Sequence, residues 1–450
     1  MRSSLLCLGF LVACGSSSDA PSSPSSATKG DASASSSSSS GGSSSSSSGS
    51  VDATDGGARF VDSCDAKAAE CTAAPAGFKE GAGLTEVDRC AFALTESADI
   101  GVTSDVITKL GTIADPVNVT DVLNDANRIA TKTGTVPGSP SSVQYAFNWQ
   151  DDDNNSVAWT PQGLSGSADS TETGKLSADK TAVLVSFYDE PVAGSGEENV
   201  GVRIAFVDTT AGASPRYRFA LLVQPKGTKD APSFDPIKIH AGGIVWFKDW
   251  LYVADTSHGF RVFDMRHLLK VATDPGNFGC NATTCRAGTY KYVLPQVGKY
   301  DVTSACSPIF SWVSLDRTSD PPALVSGEYC STDACAGPLA GRVFRWPLDP
   351  STGLLRSAIT FPTEAYLMSH KQVQGGAAAG GVYYLSSSAP AADGGELYRV
   401  VKGKSATSQW GDNPEDLMVD PGNRWLWSLN EKAGKRSVFA VKLDAYPPPL

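Results

Sequence analysis

The sequence predicts an all-β fold, a five-bladed β-propeller that follows a small helical, disulfide-linked segment and a disordered serine-rich linker. From residue 138 onward, short runs rich in Val, Tyr, Phe and Trp recur between Gly, Pro, Asp and Ser turns, which is typical of short strands. These strands fall into five sets, and each set opens with a segment of small residues. A spare strand precedes the first set and the last set is one strand short, which favours a closed ring.

Residues 1–13 have the pattern of a lipoprotein signal peptide. Arg2 precedes a short apolar run, and Leu11, Val12 and Ala13 lead into Cys14. The run is too short to cross a bilayer. We therefore expect cleavage before Cys14, lipidation of that cysteine, and an exported protein anchored in the membrane, at the outer membrane and periplasm or at the cell surface.

Residues 14–57 are almost entirely Ser, Gly, Ala, Pro and Asp, with serine runs at 35–40 and 43–48. Such a segment has too few apolar side chains to offset the entropy of ordering. We expect a flexible linker without functional residues.

Residues 58–137 form a predicted helical lead-in. Val106, Ile107, Leu110 and Ile113 have helical spacing, and a second run extends from 119 to 129. Thr120 or Asp121 is expected to cap the second helix, and Gly134 with Pro137 to stop it. We expect these helices to pack on the main domain.

The cysteines beyond the signal and the anchor are even in number, which in an exported chain indicates disulfides. They are Cys64, Cys71, Cys90, Cys280, Cys285, Cys306, Cys330 and Cys335. The two C-x4-C pairs leave a zinc site open as an alternative. The pairing is left open, although a helix through Cys64 and Cys71 would hold them too far apart to join directly.

In the β domain, residues 138–450, each of the five strand sets starts with a segment of small residues, which we call its opening. The openings are residues 161–164, 240–244, 308–311, 373–376 and 414–417. Glycine belongs there because the innermost strands of a propeller converge on a narrow channel, where larger side chains collide. Residues 359–361 are expected to complete the third set. The spare strand at 143–149 is expected to pair with 438–443 and complete the last set.

Polar residues beside these openings are the predicted site, because they would project together at one mouth of the channel. The candidates are Gln162, His240, Ser311, Glu328, Gln374, Glu415 and Asp416. Successive strand residues face opposite sides, so Glu415 and Asp416 are not both expected to point inward unless the strand has not yet begun there, and one of them is expected to bond local backbone. For Glu328, a buried structural pairing is the alternative to a site role. No catalytic residue is assigned.

The strings HAGGI, GFRVFDM, SGEYC and PEDL, between about residues 160 and 441, resemble a family of secreted bacterial β-propeller lipoproteins. That resemblance implies the fold and an exported location and supplies no catalytic residue. The polar ring around the mouth more loosely resembles the lactonase and strictosidine-synthase-like propellers, which hold a calcium or zinc ion. Their ligand set has no residue-by-residue match in this sequence.

Two functions follow from this pattern, one of them enzymatic. The preferred one is a protein that binds a small molecule, glycan or protein partner at the channel mouth. The alternative is a metal-assisted hydrolase or lactonase with calcium or zinc near His240, Glu415 or Asp416. The net charge of −11 and the absence of a Lys/Arg cluster in the sequence argue against nucleic acid as a partner.

Overall fold

The computed structural model describes residues 64, 78–79, 81–97, 99–193, 198–212, 214–304, 306–330, 341–391 and 394–450. The predicted signal peptide, Cys14, the serine-rich linker, Cys71 and Cys335 lie outside these residues. The described residues belong to one compact unit. Among them, no helix is both long enough and apolar enough to cross a membrane.

The lead-in combines short helices with short strands. Its elements are a 3-10 turn (Arg89–Ala91), helices α1 (Asp105–Ile113) and α2 (Val119–Asn124), and strands β1 (Thr85–Glu86), β2 (Leu94–Glu96), β3 (Asp115–Pro116), β4 (Arg128–Ile129) and β5 (Thr131–Lys132). The main domain then opens with β6 (Val143–Asn148).

The remaining elements fall into five groups along the chain. The first contains α3 (Asp151–Asn154), β7 (Trp159–Gly166), α4 (Ser167–Ser170), β8 (Ala182–Asp189), β9 (Val202–Asp208), β10 (Arg216–Thr228) and β11 (Ala231–Pro236). The second contains β12 (Ile244–Phe247), β13 (Trp250–Asp255), β14 (Gly259–Asp264), a 3-10 turn (Met265–His267), β15 (Leu269–Lys270), β16 (Asp274–Cys280), β17 (Cys285–Gly288) and β18 (Tyr292–Val302).

The third group contains β19 (Trp312–Asp316), β20 (Ala323–Gly327), β21 (Arg342–Pro347), β22 (Ile359–Thr360) and β23 (Glu364–Leu367). The fourth contains β24 (Val373–Ala379), β25 (Val382–Ala391), β26 (Gly394–Val401) and β27 (Lys404–Gln409). The last contains β28 (Pro414–Asp420), β29 (Trp425–Asn430), β30 (Ser437–Lys442) and a 3-10 turn (Leu443–Ala445).

Each group is an antiparallel meander, as in a β-propeller. The strand orders are β7-β8-β9-β10, β12-β13-β14-β18, β19-β20-β21-β23, β24-β25-β26-β27 and β28-β29-β30. The first strand of each group contacts the first strand of the next, and β28 contacts β7. The described residues therefore place five first strands in a cycle.

The predicted closing strand is confirmed. β6 pairs antiparallel with β30, and Val438 lies opposite Phe147. The long strand β18 adds a second connection, because it pairs antiparallel with β14 and parallel with β10. The first two groups therefore share one continuous sheet.

The lead-in packs on the main domain, as predicted, and its strands extend the outer sheets. β1 pairs with β23, β2 with β18, β4 with β10 and β5 with β6. These strands cover edges that would otherwise expose unpaired backbone groups. A disulfide joins Cys64 to Cys90, and another joins Cys280 to Cys285. Cys306 and Cys330 are disulfide-bonded as well.

Three local predictions are wrong. The second lead-in helix ends at Asn124 instead of near residue 129, because Arg128 and Ile129 join the edge of β10. Its cap is Asn118, whose side chain accepts from the N–H of Asp121 in a capping box. In the third group, β22 pairs with β2, and β23 provides the fourth strand instead. Pro362 separates the two and cannot donate to a ladder.

Candidate functional site

The opening residues of the groups lie at one end of the ring, which we call the upper mouth. It is defined by Gln162, His240, Ser311, Gln374 and Glu415, which lie before the first strands or within their first four residues. The second strand of each group runs antiparallel to the first and therefore ends at the same mouth. Residues just after β8 and β29 thus join the opening residues in space.

The first strands approach so closely that glycine is required, as predicted. A Cβ on Gly163 would lie 2.7 Å from the backbone nitrogen of Ile244, and a Cβ on Gly375 would lie 2.5 Å from the Cα of Asp416. A Cβ on Gly243 would overlap the backbone nitrogen of Val313. Each of these contacts joins one first strand to the next. The opening segments therefore contain small residues because the first strands converge there.

Asp416 lies inside the ring and is fully buried. Its Oδ2 atom accepts from the backbone N–H groups of Leu164, at 3.0 Å, and Ile244, at 3.4 Å, on two other first strands. Its Oδ1 atom has no partner among the described residues. Burial raises the pKa of Asp416 well above its usual range, against the lowering effect of the backbone donors. The carboxyl group therefore ties strands together.

Glu415 is buried as well as Asp416, although alternation places successive strand residues on opposite sides of a sheet. The reason is a register irregularity between Pro414 and Leu417, which breaks the alternation of β28. The Oε1 atom of Glu415 has no partner within the described part of the chain. Burial raises the pKa of Glu415 well above its usual range, and the nearby charge of Glu431 raises it further.

Gln162 and Glu431 join the first and last groups at the upper mouth. The Nε2 atom of Gln162 donates to Oε2 of Glu431 at 2.9 Å, and Gln162 is buried. Burial raises the pKa of Glu431, while the bond from Gln162 lowers it. Arg436 donates from Nε to the backbone carbonyl of Glu431 at 2.6 Å. The amide of Gln162 thus orients a half-buried carboxyl group.

His240 forms an aromatic pair with Tyr188, and their ring centroids are 4.4 Å apart. The Tyr188 hydroxyl donates to Oε2 of Glu190 at 2.9 Å. Desolvation lowers the pKa of His240, although more than a third of the residue surface is exposed. His240 is thus surrounded by protein but still reached by solvent, as a residue in a surface pocket is. Burial raises the pKa of Tyr188 well above its usual range, and the charges of Glu190, Glu431 and Glu415 raise it further.

The other predicted residues have different surroundings. Glu328 forms a buried ion pair, in which the Arg342 Nε atom donates to Oε2 at 2.6 Å, and it also accepts from the backbone N–H of Ile309 at 2.8 Å. These contacts are those of the buried structural pairing that was the alternative to a site role for Glu328. Ser311 is half-buried, and its Oγ atom accepts from the N–H of Tyr329 at 2.9 Å. Gln374 is half-buried at an irregularity of β24.

Among the described residues, no group of three or more His, Cys, Asp or Glu side chains has an arrangement that could hold a metal ion. Asp416 is engaged with backbone N–H groups, and His240 contacts Tyr188. The residues considered for calcium or zinc therefore do not form a ligand set in this part of the chain.

No family model matches the sequence, and none of the curated proteins matches it. Among solved structures, the chain is similar to RS223-Beta-xylosidase, with a TM-score of 0.33, 9% identity, and coverage of 63% of this chain and 92% of that one. A GH43_1 enzyme from Xanthomonas citri has a TM-score of 0.30, 10% identity, and coverage of 75% and 92%. The β-propeller domain of Myceliophteria thermophila Cps50 (Swd1) has a TM-score of 0.29, 11% identity, and coverage of 64% and 98%. We assign no residue and no activity from similarities at this level.

Tyr188, Glu190 and Glu431 belong to the upper mouth and were not predicted from the sequence. Each follows or ends the second strand of its group. The strings YDE at 188–190 and LNE at 429–431 place polar residues directly after a buried strand. That position is a usable signal, because the ends of second strands lie beside the starts of first strands.

Buried hydrogen bonds connect the first strands β12 and β7 to Asp169 in α4, which follows the C-terminal end of β7. The backbone N–H of Trp246 donates to Ser165 Oγ at 2.8 Å, and Ser165 donates to Asp169 Oδ2 at 2.6 Å. Burial raises the pKa of Asp169 to about 7, against the lowering effects of Ser165 and Arg317. Its folded-state pKa therefore lies above the unfolded value.

This raised pKa predicts that stability falls as pH rises. The folded state binds more protons than the unfolded state between about pH 4 and pH 7, so the contribution of Asp169 is complete below pH 4 and is lost toward pH 7. Between pH 5 and pH 6.5, we expect a loss of about 2 kcal/mol in the free energy of unfolding. Urea titrations of wild type and Asp169→Asn will isolate this contribution from His240, which acts in the opposite sense.

Asp169→Asn is expected to make the decline less steep but not to abolish it, because Glu415, Asp416 and Glu431 also have raised pKa values. Asp230→Asn, at an exposed carboxyl, is expected to retain the wild-type decline. Equal pH slopes for wild type and Asp169→Asn would contradict the assignment.

Proposed function

We propose that this chain is an exported, membrane-tethered, five-bladed β-propeller that binds a glycan at its upper mouth. The cyclic contacts of β7, β12, β19, β24 and β28 support the blade count, as does the closing pair of β30 with β6. Cys14 and the residues before it support the tether.

The aromatic pair of Tyr188 and His240, beside Glu190 and Glu431, carries the glycan proposal. A sugar ring presents an apolar face that stacks on aromatic rings, together with hydroxyl groups that carboxylates and amides bind. The upper mouth brings both kinds of group together from different parts of the chain. Convergent polar groups around an apolar surface are typical of small-ligand sites.

The charge of the upper mouth indicates which glycans fit. Glu190 is exposed and Glu431 is half-buried, while Arg436 is buried against the Glu431 carbonyl. A uronic acid would bring a further negative charge to these carboxyl groups, which costs free energy. We therefore propose a neutral or amino-sugar glycan.

Calorimetric titration of the full chain with xylotetraose, a chitosan tetramer and tetragalacturonate tests this proposal. We expect binding of a neutral or amino-sugar probe and none of the uronate. Tyr188→Ala removes the stacking surface, so we expect at least tenfold weaker binding, equivalent to about 1.4 kcal/mol.

Tyr398→Ala is a matched control, because Tyr398 also stacks on a histidine, His370, at 4.1 Å and donates to Glu396. We expect the Tyr398→Ala variant to bind the saccharide probes with the same affinity as the wild type. Failure of all three probes to bind, or wild-type affinity in Tyr188→Ala, would refute the proposal. The metal-assisted hydrolase receives no support from the described residues, because His240, Glu415 and Asp416 belong to no candidate ligand cluster.

A further inference from the structure

A second cleft lies away from the upper mouth, between the last and first groups. Its volume is about 600 Å³, within the range of small-ligand pockets. One wall consists of Tyr145, Trp425 and Trp427, and the other includes Thr181 and Thr209. We call it the aromatic cleft. It lies at the start of β29 and the end of β9, opposite the strand ends that form the upper mouth.

The aromatic wall follows from the register of the closing strands. Trp427 lies opposite Ala440, and Ala440 lies opposite Tyr145, so both rings project from the same sheet face. Trp425 is two residues before Trp427 and projects from that face as well. The Trp427 ring centroid is 5.5 Å from that of Tyr145 and 6.0 Å from that of Trp425. Small Ala440 leaves room between the rings, and Trp425 is partly exposed.

Polar groups face this wall or lie behind it. The Thr181 and Thr209 hydroxyls are 3.1 Å apart and partly accessible, and Asn423 is exposed at the rim. The Tyr145 hydroxyl and the Trp427 Nε1 atom are buried, and neither has a hydrogen-bond partner in the described part of the chain. Trp427 is 5% exposed. The polar groups that a ligand can reach are therefore the Thr181 and Thr209 hydroxyls and Asn423.

We propose that the aromatic cleft binds a segment of a neutral saccharide, independently of the upper mouth. The exposed part of Trp425 offers a flat apolar surface for the C–H face of a sugar ring. The threonine hydroxyls and Asn423 offer donors and acceptors for sugar hydroxyls. A purely apolar ligand would desolvate these polar groups without pairing them. Asp179, Asp420 and Lys175 also line the cleft, so the charged side chains of its lining are negative in sum, which disfavours an anionic ligand.

Tryptophan fluorescence of the full chain during titration with maltotetraose, cellotetraose and xylotetraose tests the proposal. We expect saturable quenching and protection from acrylamide, because the ligand covers Trp425. Trp425→Ala should weaken binding at this site at least tenfold. Ala211→Arg should do the same, because exposed Ala211 lines the cleft and a long side chain there fills it without altering the core.

Two controls separate this site from the upper mouth. Ala231→Arg places the same side chain on an exposed hairpin turn outside the cleft and should bind as wild type does. Tyr188→Ala should leave the fluorescence response unchanged. The proposal is overturned if no probe quenches the fluorescence, or if Ala211→Arg retains wild-type affinity. A response abolished by Tyr188→Ala but not by Ala211→Arg would assign binding to the upper mouth alone.

Discussion

Glu328→Ala is expected to lower the free energy of unfolding by about 3 to 5 kcal/mol. The substitution leaves the buried Arg342 guanidinium without its counter-charge. It also removes the acceptor for the backbone N–H groups of Ile309 and Arg342, each of which donates to Glu328 at 2.8 Å. The Arg342 groups are buried, so water does not replace the bonds that they lose, whereas the N–H of Ile309 belongs to an exposed residue. Chemical denaturation monitored by circular dichroism will measure the change.

Glu172→Ala is a matched control, because Glu172 also pairs with an arginine, Arg317, at 2.9 Å. The Glu172 side chain is 87% exposed, so solvent screens its ion pair. We expect a change of at most about 1 kcal/mol. Similar losses in the two variants would show that burial of the Glu328 pair does not determine its contribution.

Gly243→Ala is expected to cost about 3 kcal/mol, because its methyl group would overlap the backbone of β19. The neighbour is main chain, which cannot rotate away as a flexible side chain does. One first strand must therefore shift, and the shift disturbs contacts with the next. The melting temperature and the denaturation midpoint should both fall.

Gly134→Ala provides the comparison, because no atom lies within 4 Å of a Cβ at that position. Its effect should be within about 0.5 kcal/mol. A neutral result for Gly243→Ala would mean that the first strands can separate without loss, which the closely packed ring does not predict.

Much of the β domain follows from local pattern. Alternation predicts β13, β14 and β29 because each combines aromatic or β-branched residues with flanking turns. β27 was missed because its sequence, KSATSQ, is polar and largely accessible. An edge strand of this kind is stabilised mainly by pairing with β26, and no hydrophobic period marks it.

The site was only partly predictable for a related reason. Small residues beside His240 and Glu415 mark the starts of first strands, and their grouping at one mouth of the channel stays a prediction. The burial of both Glu415 and Asp416 depends on an irregularity in β28, which alternation alone does not indicate. The aromatic cleft depends on the alignment of Tyr145 with Trp427 through β30, a relationship between distant segments.

The pairing of β6 with β30 has a consequence for biogenesis. β6 lies far before β30 in the chain, so the edge of β6 that pairs with β30 stays unsatisfied until β30 has been synthesised. A chain that lacks residues 437–442 would keep this edge of β6 unpaired. Completion of the last strand group therefore depends on one pairing between distant segments, that of β6 with β30.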